Sequence, residues 1–455
     1  MSCHPQRSVR TQMWRDPAFQ RRFLEDLFRE ATARLEPRRL LRRHWVQITT
    51  RCPQLGTAPA HPEGRTIVVG YGKAAAALAA GAVEHLQGPT IGLVSVPEGY
   101  ADGCEEVLRD AGIGVVVAGH PVPDENSRKA AERALALMRR GTRADRVLFL
   151  ATGGGSATLA APLPPLTLRE KRDIVRHLVL SGAPIADINL ARRHLSAVKG
   201  GRLAAAASAV GLRVTFVISD VVGDDPALVA SGPSIPTEPA PQRARAILSR
   251  HGAPHRKKWL AVLGRPSPSD THGLQTARDP VFVLATGADL LREAAEIARA
   301  AGLDVVDLTD RIAGDAEEIG RAHAELARRL LATRRTPVLV LSGGELTVRV
   351  RKAAGRGGPN LTYLATMLQE LGGEEGIAAL AADTDGRDGS SGHAGGVITT
   401  ESWCKVEETA LPVERLLAQN ETLSLFERIG GLLATGPIPL NVNDFRAILI
   451  VPHDG

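Results

Sequence analysis

Short, unbroken apolar runs recur along this chain, and they stop at glycine, serine, aspartate or lysine. The run Val147–Ala151 is followed by Thr152, then by Gly153, Gly154, Gly155 and Ser156. An apolar strand without polar alternation needs cover on both faces, the situation of a parallel sheet between helices. The same event recurs at Thr66–Tyr71 before Gly72 and Lys73, and at Val214–Ile218 before Asp220. Further runs at Ile91–Val96, Ile113–Val117, Val281–Ala285, Val338–Leu341 and from Ala379 to Ala382 predict more strands. Helical spacing separates them at Ser127–Arg140, Leu168–Ser181, Ala313–Ala332 and Leu361–Leu371. Near the start, Phe19, Phe23, Leu27, Ala31 and Leu35 fall four apart with arginines between them. That pattern predicts an amphipathic helix with a basic outer face, packed on the first domain.

Strand and helix therefore alternate, which places the chain in the α/β class with two α/β/α lobes. Segments rich in Pro, Ser and Thr at Pro233–Pro241 and Arg265–Pro280 mark the connection between them. In open parallel sheets ligands sit beyond the carboxyl ends of the strands, where these glycines and charges accumulate.

Charge changes this picture little. The net charge is +6, and residues 1–50 alone hold eleven arginines against five acidic residues, so the remainder is balanced. No apolar stretch follows those arginines and no run reaches the length of a membrane span, which predicts a cytoplasmic protein without a membrane partner. Cys3, Cys52, Cys104 and Cys404 are scattered, against both a zinc site and a disulfide framework. Aromatic residues make up 3% of the chain, too few for stacking platforms, and no nucleic-acid partner is expected.

The candidate chemistry lies at the strand ends. Gly153, Gly154 and Gly155 let main-chain N–H groups approach an anion and Ser156 adds a hydroxyl, although a tight turn explains a lone glycine run equally well. Lys73 opens a helix whose dipole disfavours a cation, which a bound phosphate or carboxylate would reconcile. Arg192, Arg193, His194, Lys199 and Arg202 crowd around Gly200 and Gly201; a solvated face is the plain reading, an acidic ligand the other. Asp220, with Asp224 and Asp225 close behind, suits a magnesium ion that also touches phosphate, while capping explains the latter two. Ser342, Gly343, Gly344 and Glu345 repeat the first glycine turn, and Asn360 closes a glycine-rich loop. Asp383, Asp385 and Asp388 stand among glycines but lack the terminal glutamate of a calcium loop. Gly70, Gly72 and Ala75 fit Gly-x-Gly-x-x-Ala, with Glu98 after the next strand, so a dinucleotide site stays open. His120 is read as a loop hydrogen-bonding residue.

Taken together, GYGKAA, AGHPVPDENS, TGGGSA, RRHLSAVKGGRLA, ISDVVGDDPALVASGP, SGGELTV, GRGGPN and DTDGRDGSSG resemble the glycerate 2-kinase family, whose carboxyl-terminal part is called MOFRL. The resemblance implies a larger Rossmann-like parallel-sheet domain over 17–265 and a smaller α/β domain over 280–455, with the active site in the cleft between them. It implies transfer of the γ-phosphate of ATP, with Mg2+, to the 2-hydroxyl of D-glycerate, giving 2-phosphoglycerate. Lys73 matches the family's active-site lysine and Asp385 the aspartate of its Asp-Gly-x-Asp-Gly loop. Two positions depart. Pro359 stands where many members carry an arginine, with Arg349, Arg351 or Arg356 as substitutes, and TGPIPLNV replaces a hydroxyl-rich stretch.

On this reading the turns at Gly153–Ser156 and Ser342–Gly344 hold phosphate oxygens while Lys73 neutralises the transferring group. Asp220, with Glu345, holds magnesium, Asp385 takes or orients the hydroxyl proton, and Arg193 or Arg202 pairs with the substrate carboxylate. The alternative is a nicotinamide-dependent hydroxypyruvate reductase resting on Gly70, Gly72, Ala75 and Glu98. A non-catalytic nucleotide-binding regulator is a third reading, and homodimerisation is left open.

Overall fold

A computed structural model describes residues 12–265, 279–349, 351 and 355–452. The chain divides into two compact units, one from Glu36 to Ala285 and the other joining the residues up to Leu35 with those from Thr286 onward. Most of the expected connection at Arg265–Pro280 lies outside the described residues, as do Cys3 and Lys352.

The first unit is built on β1 (Thr66–Tyr71), β2 (Thr90–Val96), β3 (Ile113–Val117), β4 (Arg146–Ala151), β5 (Leu212–Ile218) and β6 (Val281–Ala285). Their order is β3-β2-β1-β4-β5-β6, and every neighbouring pair is parallel. All residues of β1 and β4 are buried, as their unbroken apolar runs require. The helix Ala75–Val83 covers β1 with a nearly all-alanine face that permits close approach. On the other face lies the helix Glu125–Arg140, where the Asp124 carboxylate accepts from Ser127 N at 2.9 Å and Ser127 Oγ accepts from Asp124 N at 3.0 Å. A separate apolar cluster joins the helices Leu168–Leu180, Ile185–His194, Pro241–Arg250 and Arg256–Leu263.

The second unit holds β7 (Asp304–Asp315), β8 (Val338–Thr347), β9 (Ile377–Asp383), β10 (Gly395–Ile398), β11 (Leu432–Leu433) and β12 (Asp444–Ile450). Their order is β11-β10-β9-β12-β8-β7. β7 and β8 are parallel, and β12 runs antiparallel to both β8 and β9, so β8 and β9 end at the same edge as β12 begins. The helix Pro359–Leu371 packs on β9 and β10, with Leu361, Tyr363, Leu364 and Met367 in the core.

Two sequence expectations change here. The basic helix, Pro17–Arg34, packs against β9, β10, β12 and the helix Gly287–Ala300, so it belongs to the second unit and not the first. Its stripe of Leu24, Leu27, Phe28 and Ala31 is amphipathic wherever its partner lies in the chain, and the pattern cannot name that partner. The run Val281–Ala285 does not restart the second unit but pairs with β5 at the edge of the first sheet. Among the described residues no helix is long and apolar enough to cross a membrane.

Candidate active site

The strand order of the first sheet reverses direction between β1 and β4, and the chain turns leaving these two strands meet at their carboxyl ends. Lys73 N donates to Gly153 O at 2.8 Å, and Ala74 N donates to Thr152 Oγ1 at 3.2 Å. Gly72, at φ +107°, lies so close to the carbonyls of Thr152 and Gly153 that a side chain would run into them. Gly154, at φ +82°, leaves the turn between β4 and the short helix Gly155–Thr158. A methyl group on Gly154 would stand 3.3 Å from both the His120 ring and Lys73 Cγ, so lysine, imidazole and glycine turn share one spot. Lys73, Gly154 and Ser156 are partly exposed there while Gly72, Thr152, Gly153 and Gly155 are buried. His120 thus joins the site, which its sequence context did not reveal.

The same edge gathers the cations. Ser156 Oγ and Ser231 Oγ share a 2.7 Å hydrogen bond, and the adjacent Ala230 takes φ +53° and Ser231 φ +63°, a strained pair for residues with side chains. Ala230 O accepts from Lys199 Nζ at 3.2 Å. Lys199 is 1% exposed, and burial, with Lys171 and Arg192 nearby, holds its ammonium well below the usual lysine range. Arg202 donates to the carbonyls of Arg193 at 2.7 Å and Lys199 at 3.1 Å, which folds the Gly200–Gly201 turn around its guanidinium. Lys171 was not among the sequence candidates. It is buried, its Nζ has no hydrogen-bond partner, and burial beside Arg192 and Arg202 brings its pKa down to about 7. A signal for it exists: Leu168, Lys171, Ile174 and Leu178 make one buried stripe, so a lysine stands on the apolar face of its helix.

Asp220 follows β5 at the same carboxyl edge and is partly buried. Among the described residues no three His, Cys, Asp or Glu gather as a metal cluster. Asp224, at φ +56°, caps no helix, and Asp225 accepts instead from Ala227 N at 3.0 Å.

The candidates of the second unit are placed otherwise. Ser342, Gly343 and Gly344 are not a loop: they continue β8, paired with Arg446, Phe445 and Asp444 of β12. Gly344, at φ +108°, lacks a side chain because the Ile312 backbone occupies that space. Ser342 Oγ accepts from Arg446 Nε at 3.4 Å, so this hydroxyl is engaged inside the sheet. Glu345 points to the exposed face of β8.

Asn360 is 1% exposed, and its Nδ2 donates to Asp444 Oδ1 at 2.6 Å and to Asp388 Oδ1 at 3.3 Å. Asp388 accepts the main-chain N–H groups of Asn360 at 2.9 Å and Leu361 at 3.0 Å. The N-terminus of the helix Pro359–Leu371 is therefore capped by the chain's own carboxylate. Burial pushes Asp388 up to about 7, opposed by those two amides and reinforced by Asp444. Arg446, fully buried, donates to Asp444 Oδ2 at 3.0 Å and to Gly343 O, and completes a polar network that the sequence reading missed. Its signal is a charge inside the apolar run of β12.

Asp385 is 2% exposed in the turn after β9, where its N–H donates to Asp383 Oδ1 at 3.0 Å and its Oδ1 accepts from Arg387 N at 2.7 Å. Pro359 occupies the first position of its helix, where proline is well tolerated. The arginines offered as substitutes all have acidic partners: Arg349 meets Asp315 and Glu318, Arg351 meets Glu317, and Arg356 meets Glu421.

Comparison with known proteins identifies the family. A family described as a domain of unknown function, DUF4147, matches residues 23–263, and the MOFRL family matches residues 338–444. A putative hydroxypyruvate reductase of Agrobacterium vitis is 38% identical over 404 residues, covering 86% of this chain and 89% of that protein. A D-glycerate 2-kinase of Thermotoga maritima is 32% identical over 392 residues, covering 85% of this chain and 91% of that protein. The crystal structure of glycerate kinase from Thermotoga maritima aligns with a TM-score of 0.80 at 28% identity, over 95% of this chain and 99% of that one. The chain belongs to the glycerate 2-kinase family, in which a MOFRL domain forms the carboxyl-terminal part.

Proposed function

We propose that this protein is an ATP- and Mg2+-dependent kinase that phosphorylates the 2-hydroxyl of D-glycerate to give 2-phosphoglycerate. The observation that supports it most directly is the meeting of Lys73 with the turn Gly153–Ser156 where the strand order reverses. A partly exposed lysine beside a glycine turn and a hydroxyl suits the equatorial oxygens of a transferring phosphoryl group. Lys73 would neutralise charge as it develops there, and Ser156, held by Ser231, would orient one oxygen. Asp220 would hold the metal, a donor set that fits Mg2+ because this ion takes one or two carboxylates and completes its shell with phosphates and water. Mg2+, when bound, supplies charge neutralisation on the phosphates. Asp385 would accept the proton of the attacking hydroxyl, its carboxylate oriented by the Arg387 amide on Oδ1. A homodimer is compatible with this scheme and required by no step of it.

The reductase alternative keeps its glycines and Glu98 at the ends of β1 and β2. Against it, the Lys73 N–H is engaged by Gly153 O and Gly72 abuts the β4 turn, which disfavours a pyrophosphate on that turn. One preparation assayed both ways separates the two. Incubation with ATP, Mg2+ and D-glycerate should yield a phosphate ester located at carbon 2 by mass and phosphorus NMR. Oxidation of NADH by hydroxypyruvate with no ester formed would reverse the assignment.

A further inference from the structure

β3 is the outer strand of the first sheet, paired on one side with β2. Ala118 N donates to Val96 O at 2.9 Å and Gly92 N to Gly112 O at 3.2 Å, so the even-numbered residues carry the ladder. Ile113, Val115 and Val117 therefore turn their main-chain N–H and C=O groups away from the sheet. The Val117 carbonyl accepts from Asn126 Nδ2 at 3.0 Å. An open row of this kind templates a further strand, and edge strands are ordinarily guarded by a charge, a proline, a bulge or a covering element. β3 reads Ile-Gly-Val-Val-Val and follows β2 without a register shift, so the strand itself carries no such guard. Open grooves of about 630 and 380 Å³ lie along it, one against the helix Glu125–Arg140 and one against the helix Glu105–Asp110. Beside them Val107 and Val117 are 37% and 48% exposed.

The charges along the edge indicate what covers it. Arg133 reaches over Gly114, where a methyl group would stand 3.2 Å from its NH2. The helix Glu125–Arg140 leads from β3 to the parallel β4, so it runs back along the strand, rising about 1.5 Å per residue against about 3.3 Å for the strand. The level of Val115 thus falls between Lys129 and Glu132, two exposed side chains of opposite sign. Glu132 meets Arg128 of its own helix, and among the described residues Lys129 and Arg133 enter no salt bridge. In the other groove Glu105 and Arg109, exposed and likewise without a salt bridge, stand one turn apart. An acidic or a basic partner would call for one sign, whereas both signs disposed about one point are complementary to themselves under a two-fold rotation.

We propose that the open edge of β3 is a homodimer interface, where β3 of a second copy of this chain lies antiparallel about a two-fold axis at Val115 and joins the two six-stranded sheets into one. Val115 exchanges N–H···O bonds with Val115 of the partner subunit, and Ile113 does so with the partner subunit's Val117. Lys129 faces the partner subunit's Glu132, and the axis makes that contact twice. The main-chain bonds supply the pairing, the exposed valines gain apolar cover and the charges fix the register. The interface is independent of the kinase reading.

Sedimentation velocity of the full chain over a concentration series, with hydrogen exchange at the same concentrations, tests the interface. The wild-type protein should sediment at twice the 48.2 kDa of one chain. Lys129→Glu turns two symmetry-related attractions into repulsions and should weaken association by roughly tenfold. Combining Lys129→Glu with Glu132→Lys exchanges the signs and should restore the wild-type dimer. Val115→Pro removes an N–H that the sheet itself does not use and should leave a folded monomer. If that variant fails to fold, the exposed charge pair still decides. Exchange at the Val115 and Val117 amides should slow as the dimer forms. A wild-type monomer at every concentration overturns the proposal and leaves the edge to a strand of another protein. A dimer that Lys129→Glu leaves unchanged, or that forms without slowing exchange at Val115, places the contact on a different surface and overturns it equally. A double variant as weak as the single one overturns the two-fold register.

Discussion

The main-chain N–H of Lys73 donates to the carbonyl of Gly153 at 2.8 Å, tying the turn after β1 to the turn after β4. This bond fixes the lysine backbone independently of its ammonium, so the charge can be removed without disturbing the turn. Lys73→Ala should therefore lower kcat by about 10²–10³-fold. Its melting temperature should match the wild type, and turnover unchanged under saturating substrates would remove Lys73 from the chemistry.

Gly154 separates the His120 ring from the Lys73 stem and holds φ +82°. Gly154→Val asks a β-branched residue to take a left-handed conformation in a space that leaves 3.3 Å even for the first carbon. We expect a stability loss of about 1–3 kcal/mol and a larger proportional loss of activity. Urea unfolding alongside steady-state kinetics measures both, and a variant with full activity would mean that the turn does not need this geometry.

Asp388 gives the protein a defined pH response. Its carboxyl titrates near 7 in the folded state against an ordinary value of 3.8, so between those values the folded protein keeps a proton that the unfolded chain releases. Its contribution is complete below pH 3.8 and is lost as the pH rises through 7, an effect of up to about 4 kcal/mol. Asp388→Asn removes the titration and keeps an acceptor for one of the two helix N–H groups. Denaturation at a series of pH values from 4 to 8 should show a flatter profile for the variant, and parallel profiles would place the titration elsewhere.

Asp385 is tested by Asp385→Asn, which preserves the acceptor for the Arg387 amide. As a general base it should contribute about 10²–10⁴-fold to kcat. The melting temperature should match the wild type while kcat falls, and an unchanged kcat would assign the proton to a different group.

Much of this architecture is legible in the residues themselves. β3 spans Ile113–Val117 as the apolar run indicates, and the helix expected from Ser127 to Arg140 runs from Glu125 to Arg140. Long-range pairing is what local pattern cannot carry. Glycine serves equally in a turn and in a crowded strand, so Ser342–Gly344 reads as a loop until β12 and the Ile312 backbone are seen on either side. The capping of residues 359–371 is hidden for the same reason, because Asp388 lies far along the chain from the amides that it satisfies. Lys171 was overlooked although its helix announces it, since a lone cation in a charged segment passes for surface.

The helix Pro17–Arg34 has a consequence for biosynthesis. It leaves the ribosome before the unit from Glu36 to Ala285, yet β9, β10 and β12, on which its apolar stripe rests, are made only after that whole unit. The intervening unit has its complete sheet once β6 has emerged, whereas Leu24, Leu27, Phe28 and Ala31 must wait uncovered. A nascent chain of this protein thus carries a greasy, arginine-flanked handle while the intervening unit is made, and chaperone engagement should concentrate there.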